Sequence, residues 1–302
     1  MLTLKSRLFQ SVTALSVAAL ALTACGDNDG GGDDSAGDAG ELTIGVFNGW
    51  EEGIAVSELW SYILEEEGYE VNLEYADPAP VYSGLATNDY NVTLDAWLPI
   101  THEDYVDEYS DDITDLGVWN DESSLHLAVN EDAPIDSIDE LADHADEFNN
   151  EIIGIDPGAG ITQQVEDEAI PTYGLEDMNF TTSGTPAMLQ ELESATESGD
   201  NVVVTLWRPH WAYDAYPVRD LEDPEGAMGE TEAIHAFANA DWADDEDNAD
   251  VVGWLEDFEM DSDTLYSLEN EMFNENPDTD DYRPIIEDWV AENQDYVDSL
   301  TE

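Results

Sequence analysis

Short apolar runs alternate with stretches of helical spacing from Leu42 onward, and this alternation limits the fold more than any other feature of the chain. Strands that alternate with helices are typical of an α/β fold with mostly parallel sheets. One series of such segments occupies residues 42–96, a strand over 125–129 leads out of it, and a second series occupies 152–206. Two series predict two α/β lobes.

The individual segments are predicted from apolar residues that recur with a period of two or of 3.6. Predicted strands occupy 42–47, 71–75, 92–96, 125–129, 152–155 and 202–206. Predicted helices occupy 53–66, 80–87, 161–170, 186–196, 231–240, 248–256, 262–273 and 284–300. We expect residues 41–130 to form the first part of lobe 1, 131–210 to form lobe 2, and 211–302 to be a helical part that returns to lobe 1.

Residues 1–24 have the features of an export signal peptide. Two basic residues precede an apolar run over 12–24, which is too short to span a bilayer because a spanning helix needs roughly 20 apolar residues. Cys25 is the only cysteine and follows Leu-Thr-Ala, a sequence that resembles the lipobox of bacterial lipoproteins. The resemblance implies a lipid on Cys25 that anchors the protein to the membrane, outside the cytoplasm. An ordinary secretory signal is the alternative. The Gly-, Asp- and Ser-rich stretch over 25–40 predicts a flexible acidic linker.

Acidic residues dominate the charge: 75 Asp and Glu stand against five Lys and Arg, a formal net charge of −70. Such a surface repels itself at low ionic strength, whereas in about 1 M salt the Debye length is roughly 3 Å and the repulsion is screened. We interpret the acidity as halophilic adaptation to a saline exterior. The charge excludes nucleic acid and anionic membrane surfaces as partners. The acidic runs lack the spacing of a calcium loop and are interpreted as solvated surface.

Three of the nine tryptophans, Trp50, Trp97 and Trp207, each follow the carboxyl end of a predicted strand. Ligands bind at that edge in open α/β sheets. Pro99 and Pro209 lie two residues after two of these tryptophans and end the strands. We expect the three indoles to meet across a cleft between the lobes. Three aromatics that close the ends of the hydrophobic cores are the alternative.

Facing indole rings have a specific chemistry. The negative π face attracts a cation that holds no water tightly, and a trimethylammonium group is such a cation; each desolvated contact contributes about 2 kcal/mol. A cage of carboxylates would bind sodium as well, so it would be less selective in salt. The pattern predicts a site for a quaternary ammonium group.

A glycine-rich turn over 158–160 connects a predicted strand of lobe 2 to a helix. Free amides at the start of a helix bind anions, so the amides of Gly160 and Ile161 are candidates for holding a carboxylate. A phosphate loop is excluded because the Lys and Ser/Thr of a Walker motif are missing, and Asp156 opposes a polyanion. A tight turn without a ligand is the alternative.

Two histidines lie close to the tryptophans along the chain. His102 follows Trp97 by five residues and is a candidate donor to the same carboxylate. His210 is a candidate for that role, or for orienting Trp207, and Trp211 is expected to lie behind the indoles. No two histidines have the spacing of metal ligands and no serine nucleophile motif is present, so we predict no metal, no cofactor and no enzymatic activity.

Four segments together resemble the glycine betaine/proline betaine family of ABC-transporter substrate-binding lipoproteins. They are Phe47–Trp50, Leu94–His102, Gly154–Gly160 and Thr205–Trp211. The resemblance implies a two-lobed fold of the periplasmic-binding-protein type (type II), with the ligand in the inter-lobe cleft, and an ABC permease and its cytoplasmic ATPase as partners.

The resemblance also implies roles for single residues. Trp50, Trp97 and Trp207 would surround the trimethylammonium group, and Gly160, Ile161 and His102 would hold the carboxylate. The resulting hypothesis is an extracytoplasmic solute-binding subunit that captures glycine betaine, or a related quaternary-ammonium osmolyte, and delivers it to the permease for osmoprotection. A binding protein for choline or another compatible solute, a surface sensory receptor and a surface hydrolase on the same scaffold are the alternatives.

Overall fold

The computed structural model describes residues 39–277, 279 and 281–301. The predicted export signal, Cys25 and most of the predicted linker lie outside the described residues. Within the described part of the chain, no helix is both long enough and apolar enough to cross a membrane.

A mixed sheet of nine strands runs through the described part of the chain. The strands are β1 Glu41–Phe47, β2 Glu70–Ala76, β3 Val92–Leu98, β4 Ile113–Asn130, β5 Glu151–Gly154, β6 Asn179–Thr182, β7 Val203–Arg208, β8 Val218–Asp220 and β9 Glu232–Asn239. Their order is β2-β1-β3-β9-β4-β7-β5-β6, and β8 pairs with β4.

Helices connect the strands. The α-helices are α1 Glu51–Glu66, α2 Pro78–Ala86, α3 Glu103–Glu108, α4 Leu141–His144, α5 Gly160–Gln164, α6 Ile170–Tyr173, α7 Thr185–Ser198, α8 Ala212–Ala215, α9 Ala240–Ala243, α10 Ala249–Glu256, α11 Ser262–Glu269, α12 Arg283–Glu292 and α13 Gln294–Ser299. Short 3₁₀ segments cover Ile138–Glu140, Ala145–Phe148 and Glu246–Asn248, and π-helical turns cover Val165–Ala169 and Asn270–Asn274.

The long strand β4 divides the sheet into two halves. Its first part pairs antiparallel with β9, and its second part pairs antiparallel with β7. We call β2, β1, β3 and β9 the first half-sheet, and β7, β5 and β6 the second half-sheet. Parallel pairing joins β1 to β2 and β3, and β5 to β6 and β7. Each predicted α/β series therefore supplies the parallel part of one half-sheet.

Strand β3 is buried on both faces. Its residues are all buried except the last, as expected for a strand inside a sheet that is covered on both sides. The hydroxyl of Thr93 donates to the carbonyl of Gly45 on β1 at 2.8 Å, which satisfies the one hydroxyl in that run. Asp95 lies in the middle of the same buried run, and its carboxyl group needs a partner for the same reason.

Helix α1 starts directly after the loop that follows β1. Glu51 and Glu52 occupy its first turn, where acidic residues interact favourably with the helix dipole. Gly53 has no side chain to keep the helix away from β3, because a Cβ there would overlap the carboxylate of Asp95. The close packing of α1 on β3 therefore places Glu51, Glu52 and the carboxyl end of β1 near β3.

The segment over 231–240 was predicted as a helix, and this prediction is wrong. It forms β9, which lies between β3 and β4 and pairs antiparallel with both. Its alanines and its short alternation of buried residues are compatible with a helix and with a strand. Pairing with β3 and β4 in the sheet favours the strand. Because β8 and β9 both lie in 211–302, that part of the chain is not wholly helical.

Replacing Trp60 by alanine should lower the free energy of unfolding by about 3–5 kcal/mol, because a fully buried indole leaves a cavity. Trp60 is 0% exposed on α1 and its ring lies edge-on to Phe258, with 5.3 Å between centroids. Trp254→Ala is the matched control, since Trp254 is only half-buried. Urea denaturation in about 1 M NaCl measures both variants. Equal losses would contradict this description of the core.

Candidate ligand-binding site

One cavity lies where the carboxyl ends of β1, β3 and β7 approach one another. It contains about 240 Å³ of space free of protein atoms, part of it open to solvent. Its lining residues are Trp50, Glu52, Trp97, Thr101, Leu125, Ile155, Ile161 and Trp207. The three tryptophans singled out by their positions at strand ends therefore lie around the same space.

Each of these tryptophans is set by the end of a strand. Trp50 is the residue before α1, whereas Trp97 and Trp207 are the penultimate residues of β3 and β7. Both strands end directly before a proline, Pro99 or Pro209, as predicted. The three indoles are 6%, 2% and 3% exposed in the order of the chain. The cavity thus has walls of buried aromatic surface.

Two of the indoles are oriented by buried carboxyl groups. The Nε1–H of Trp97 donates to Oδ1 of Asp95 at 2.8 Å, and the Nε1–H of Trp207 donates to Oε2 of Glu52 at 2.9 Å. A buried indole N–H requires an acceptor, so each acid satisfies its tryptophan. Trp50 is supported differently. Its ring stacks on His102 at 5.4 Å and lies edge-on to Phe47 at 5.2 Å.

Burial changes the protonation of these acids. Loss of solvent raises the pKa of Glu52 to about 8, although the hydrogen bond from Trp207 acts in the opposite direction. Burial, together with the nearby charge of Glu52, also raises the pKa of Asp95. The pKa of Glu269 on α11 is raised by burial first and then by the charges of Glu52 and Glu51. Glu52, which lines the cavity, thus belongs to a group of buried acids whose ionised forms are disfavoured.

The loop after β3 is fixed by Glu232 at the start of β9. Oε1 of Glu232 accepts the amides of Ile100 at 2.7 Å and Thr101 at 2.8 Å, and Oε2 accepts the hydroxyl of Thr101 at 2.5 Å. Glu232 is 3% exposed, so these bonds are shielded from water. The loop from Trp97 to His102 is thus fixed by a residue of β9, the strand that was predicted to be a helix.

The glycine turn of the second half-sheet meets this loop. A Cβ on Gly160 would overlap Cγ2 of Thr101, so only glycine permits this approach. Gly160 begins α5, which continues through the π-helical turn into α6, and Ile161 lines the cavity. The first amides of a helix have no acceptor within the helix. Gly160 itself borders an adjacent cleft with Thr101 and Tyr105 instead of lining the cavity.

His102 lies behind the cavity wall and is absent from the lining. Its Nδ1 accepts the amide of Trp97 at 2.9 Å, so a neutral ring carries its proton on Nε2. That Nε2 atom is buried and has no hydrogen-bond partner among the described residues. Burial lowers the pKa of His102 to about 3, so the ring stays neutral.

His210 and Trp211 lie on the far side of Trp207. The His210 ring lies edge-on to Trp207 at 4.7 Å, its Nδ1 accepts the amide of Ala212 at 3.0 Å, and its Nε2 is 3.3 Å from Oε2 of Glu51. Trp211 packs against His210 with 5.7 Å between ring centroids. His210 therefore packs against the Trp207 indole and Trp211 packs against His210, and neither residue lines the cavity.

Six residues that build the site were not predicted from the sequence: Glu52, Asp95, Thr101, Leu125, Ile155 and Glu232. An acid inside the buried run of β3 was a usable signal for Asp95, because an unpaired buried carboxyl group is costly. Glu52 gave no such signal, since an acid in the first turn of a helix has an ordinary explanation.

Solved structures share this fold. The glycine betaine- and L-proline-binding protein ProX of Borrelia burgdorferi has a TM-score of 0.79 and 27% identity, with coverage of 87% of this chain and 97% of that one. Lactococcal OpuAC in its closed-liganded conformation with glycine betaine has a TM-score of 0.78 and 24% identity, with coverage of 87% and 99%. The chain has the two-lobed α/β fold of periplasmic substrate-binding proteins, as predicted.

Residues 40–292 match the family described as the substrate binding domain of ABC-type glycine betaine transport systems (OpuAC), and the chain belongs to this family. Its members are substrate-binding proteins and not enzymes. The glycine betaine/carnitine transport binding protein GbuC of Listeria monocytogenes serotype 1/2a (strain 10403S) is 31% identical over 172 residues. That match spans 56% of this chain and 54% of GbuC, or about half of either protein.

Nitrogen-15 NMR should show His102 as a neutral ring with the proton on Nε2 from about pH 5 to about pH 8, because burial lowers its pKa to about 3. His102→Gln identifies the resonances by their loss. A ring that titrates near the usual value of about 6.5, or a proton on Nδ1, would show that the Trp97 amide does not bond to this histidine.

Proposed function

We propose that the protein is the extracytoplasmic solute-binding subunit of an ABC importer and that it captures glycine betaine, or a related quaternary-ammonium osmolyte, between its lobes. The observation that carries this proposal is the convergence of Trp50, Trp97 and Trp207 on one buried cavity. Membership of the family and the two-lobed fold support the same role.

The trimethylammonium group is proposed to lie between the three indoles. It donates no hydrogen bond and is weakly hydrated, so a cavity walled by aromatic and aliphatic side chains replaces its water at low cost. Each desolvated indole contact contributes about 2 kcal/mol, and the contacts are not strictly additive. Together they bring micromolar affinity, about −8 kcal/mol, within reach.

The carboxylate of the ligand is proposed to bind the amides of Gly160 and Ile161 and the Nε2–H of His102. Three observations support this arrangement: Ile161 lines the cavity, Gly160 begins a helical stretch, and Nε2 of His102 is buried without a protein partner. The His102 ring stacks on Trp50 and lies behind the cavity wall, so His102 is proposed as the minor donor. The amides are therefore the main carboxylate donors in this proposal.

The remaining parts of the proposal concern the cell envelope. Residues 1–24 are proposed to be removed as a signal peptide, Cys25 to carry the lipid anchor, and residues 25–40 to tether the two lobes to the membrane. A permease and its ATPase are the proposed partners, in keeping with the description of the family. The acidic surface is proposed to keep the protein dispersed in a saline exterior, where charge repulsion is screened.

Choline is the second candidate ligand. Glu52 lines the cavity, so a cation without its own carboxylate also meets a carboxyl group there. Choline would nevertheless make no ion contact with the amides of Gly160 and Ile161, and we expect it to bind more weakly than glycine betaine.

Titration calorimetry in about 1 M NaCl with glycine betaine, proline betaine, choline and ectoine tests the proposal. Glycine betaine should bind with a micromolar Kd, and Trp97→Ala should raise that Kd by at least about 30-fold, the equivalent of one indole contact. Trp254→Ala, which removes a half-buried tryptophan outside the cavity, should leave Kd unchanged. Heat from none of the four ligands, or equal Kd values for the two variants, would refute it.

A further inference from the structure

The cavity has one ionisable group in its wall. Glu52 is the acid among the residues that line it, and its side chain is completely buried. Oε2 accepts the Nε1–H of Trp207, whereas Oε1 is buried with no hydrogen-bond partner among the described residues. A buried carboxyl oxygen without a donor is costly, and it lies beside the space that the ligand would fill.

The titratable groups around Glu52 come from several elements. Glu51 precedes it on α1, Asp95 faces it from β3, and Glu269 faces it from α11. His210, in the loop after β7, contacts Glu51 at 3.3 Å. Tyr82 of α2 is also buried, and burial, followed by the charge of Asp95, raises its pKa. Repulsion from these three neighbouring acids, when they are ionised, disfavours the ionised form of Glu52.

These surroundings favour the protonated form of Glu52 below about pH 8. Burial is the main cause that raises its pKa to about 8, and the charge of Glu51 acts in the same direction. A cation placed in the cavity acts in the opposite direction, because an opposite charge within about 4–6 Å favours the ionised form of a carboxyl group.

We propose that Glu52 is the counter-ion of the bound onium group and that ligand binding is coupled to the loss of its proton. This inference rests on the proposed function, since it takes the ligand to be a quaternary ammonium compound. The balance is simple: the protonated carboxyl group and the ligand give the carboxylate–onium pair, and one proton passes to the solvent. No bond other than O–H breaks.

The direction of the pH dependence follows from this coupling. The carboxyl group has a higher pKa in the free protein than in the complex, so the complex binds fewer protons. Affinity is constant above the pKa of the free protein, which is about 8, and it falls as the pH drops below that value. The fall continues to the lower pKa of the complex, with a limiting slope of about tenfold per pH unit. His102 does not titrate in this range, because burial lowers its pKa to about 3.

The coupling also makes the site selective for positive charge. 3,3-Dimethylbutyrate has the shape and the carboxylate of glycine betaine, but a carbon atom replaces the onium nitrogen. Because this head group is neutral, its binding does not stabilise the ionised form of Glu52. It should therefore bind more weakly than glycine betaine and release no proton.

Glu52→Gln separates the proposed role from a purely structural one. The amide oxygen of glutamine still accepts the Nε1–H of Trp207, so the indole keeps its support while the charge is lost. Glu66→Gln is the matched control, since Glu66 is an exposed acid at the end of the same helix. Both substitutions replace one glutamate carboxyl group by an amide of nearly the same shape.

The experiment is titration calorimetry with glycine betaine in about 1 M NaCl, in phosphate and in Tris, from about pH 6 to about pH 8. The buffers differ in ionisation enthalpy, so the difference in heat gives the number of protons released. The wild-type protein and Glu66→Gln should release protons, and their Kd should fall by up to about tenfold per pH unit as the pH rises. Glu52→Gln should release none, and its Kd at about pH 8 should be about tenfold higher than the wild-type value and independent of pH.

Three outcomes would overturn the inference: wild-type protein that binds glycine betaine without releasing protons, Glu52→Gln that still releases them, or 3,3-dimethylbutyrate that binds as tightly as glycine betaine. The first two leave the proposed function intact, because glycine betaine still binds, whereas the third would also contradict the cation–π contacts proposed for the indoles. Absence of any heat from the wild-type protein would instead refute the proposed function. The wild-type measurements test the coupling even if Glu52→Gln does not fold.

Discussion

Two hydrogen bonds from buried indoles to buried carboxyl groups hold the site together. Trp97 donates to Asp95 within β3, and Trp207 donates to Glu52 across the two half-sheets. A buried acid without a partner costs several kcal/mol and a buried indole N–H costs less, so each pair offsets a cost that either group alone would impose. The bond from Trp207 to Glu52 also crosses from the second half-sheet to helix α1. The arrangement of the tryptophans therefore depends in part on a contact between the two parts of the fold, in addition to the pairing of β4 with both half-sheets.

The acidic character of the chain has two different physical settings. The surface acids are solvated, and about 1 M salt screens their repulsion because the Debye length is then only roughly 3 Å. Three acids, Glu52, Asp95 and Glu269, are instead shielded from salt by burial, and burial raises the pKa of each. Salt that weakens exposed ion pairs therefore has little access to the cavity. A site of aromatic faces with a buried acid therefore keeps its interactions in concentrated salt better than exposed ion pairs do.

Much of the fold and part of the candidate site could be predicted from the sequence. The ends of β1, β3 and β7 follow from apolar runs that stop at a turn or a proline, and those ends locate Trp50, Trp97 and Trp207. Strand β9 could not be predicted, because its alanine-rich sequence is compatible with a helix and its position between β3 and β4 is a property of the whole sheet. Glu232 was missed with it, since its three bonds reach a loop more than 130 residues away. Long-range contacts of a single polar side chain leave no local pattern.

A crystal structure of the protein with glycine betaine would show whether an onium group lies among the three indoles, as we propose. We expect the ligand nitrogen within about 6 Å of the ring centroids of Trp50, Trp97 and Trp207, with the ligand carboxylate at the amides of Gly160 and Ile161. A ligand nitrogen outside the space between these three indoles, or bound by carboxylates on the surface, would contradict it.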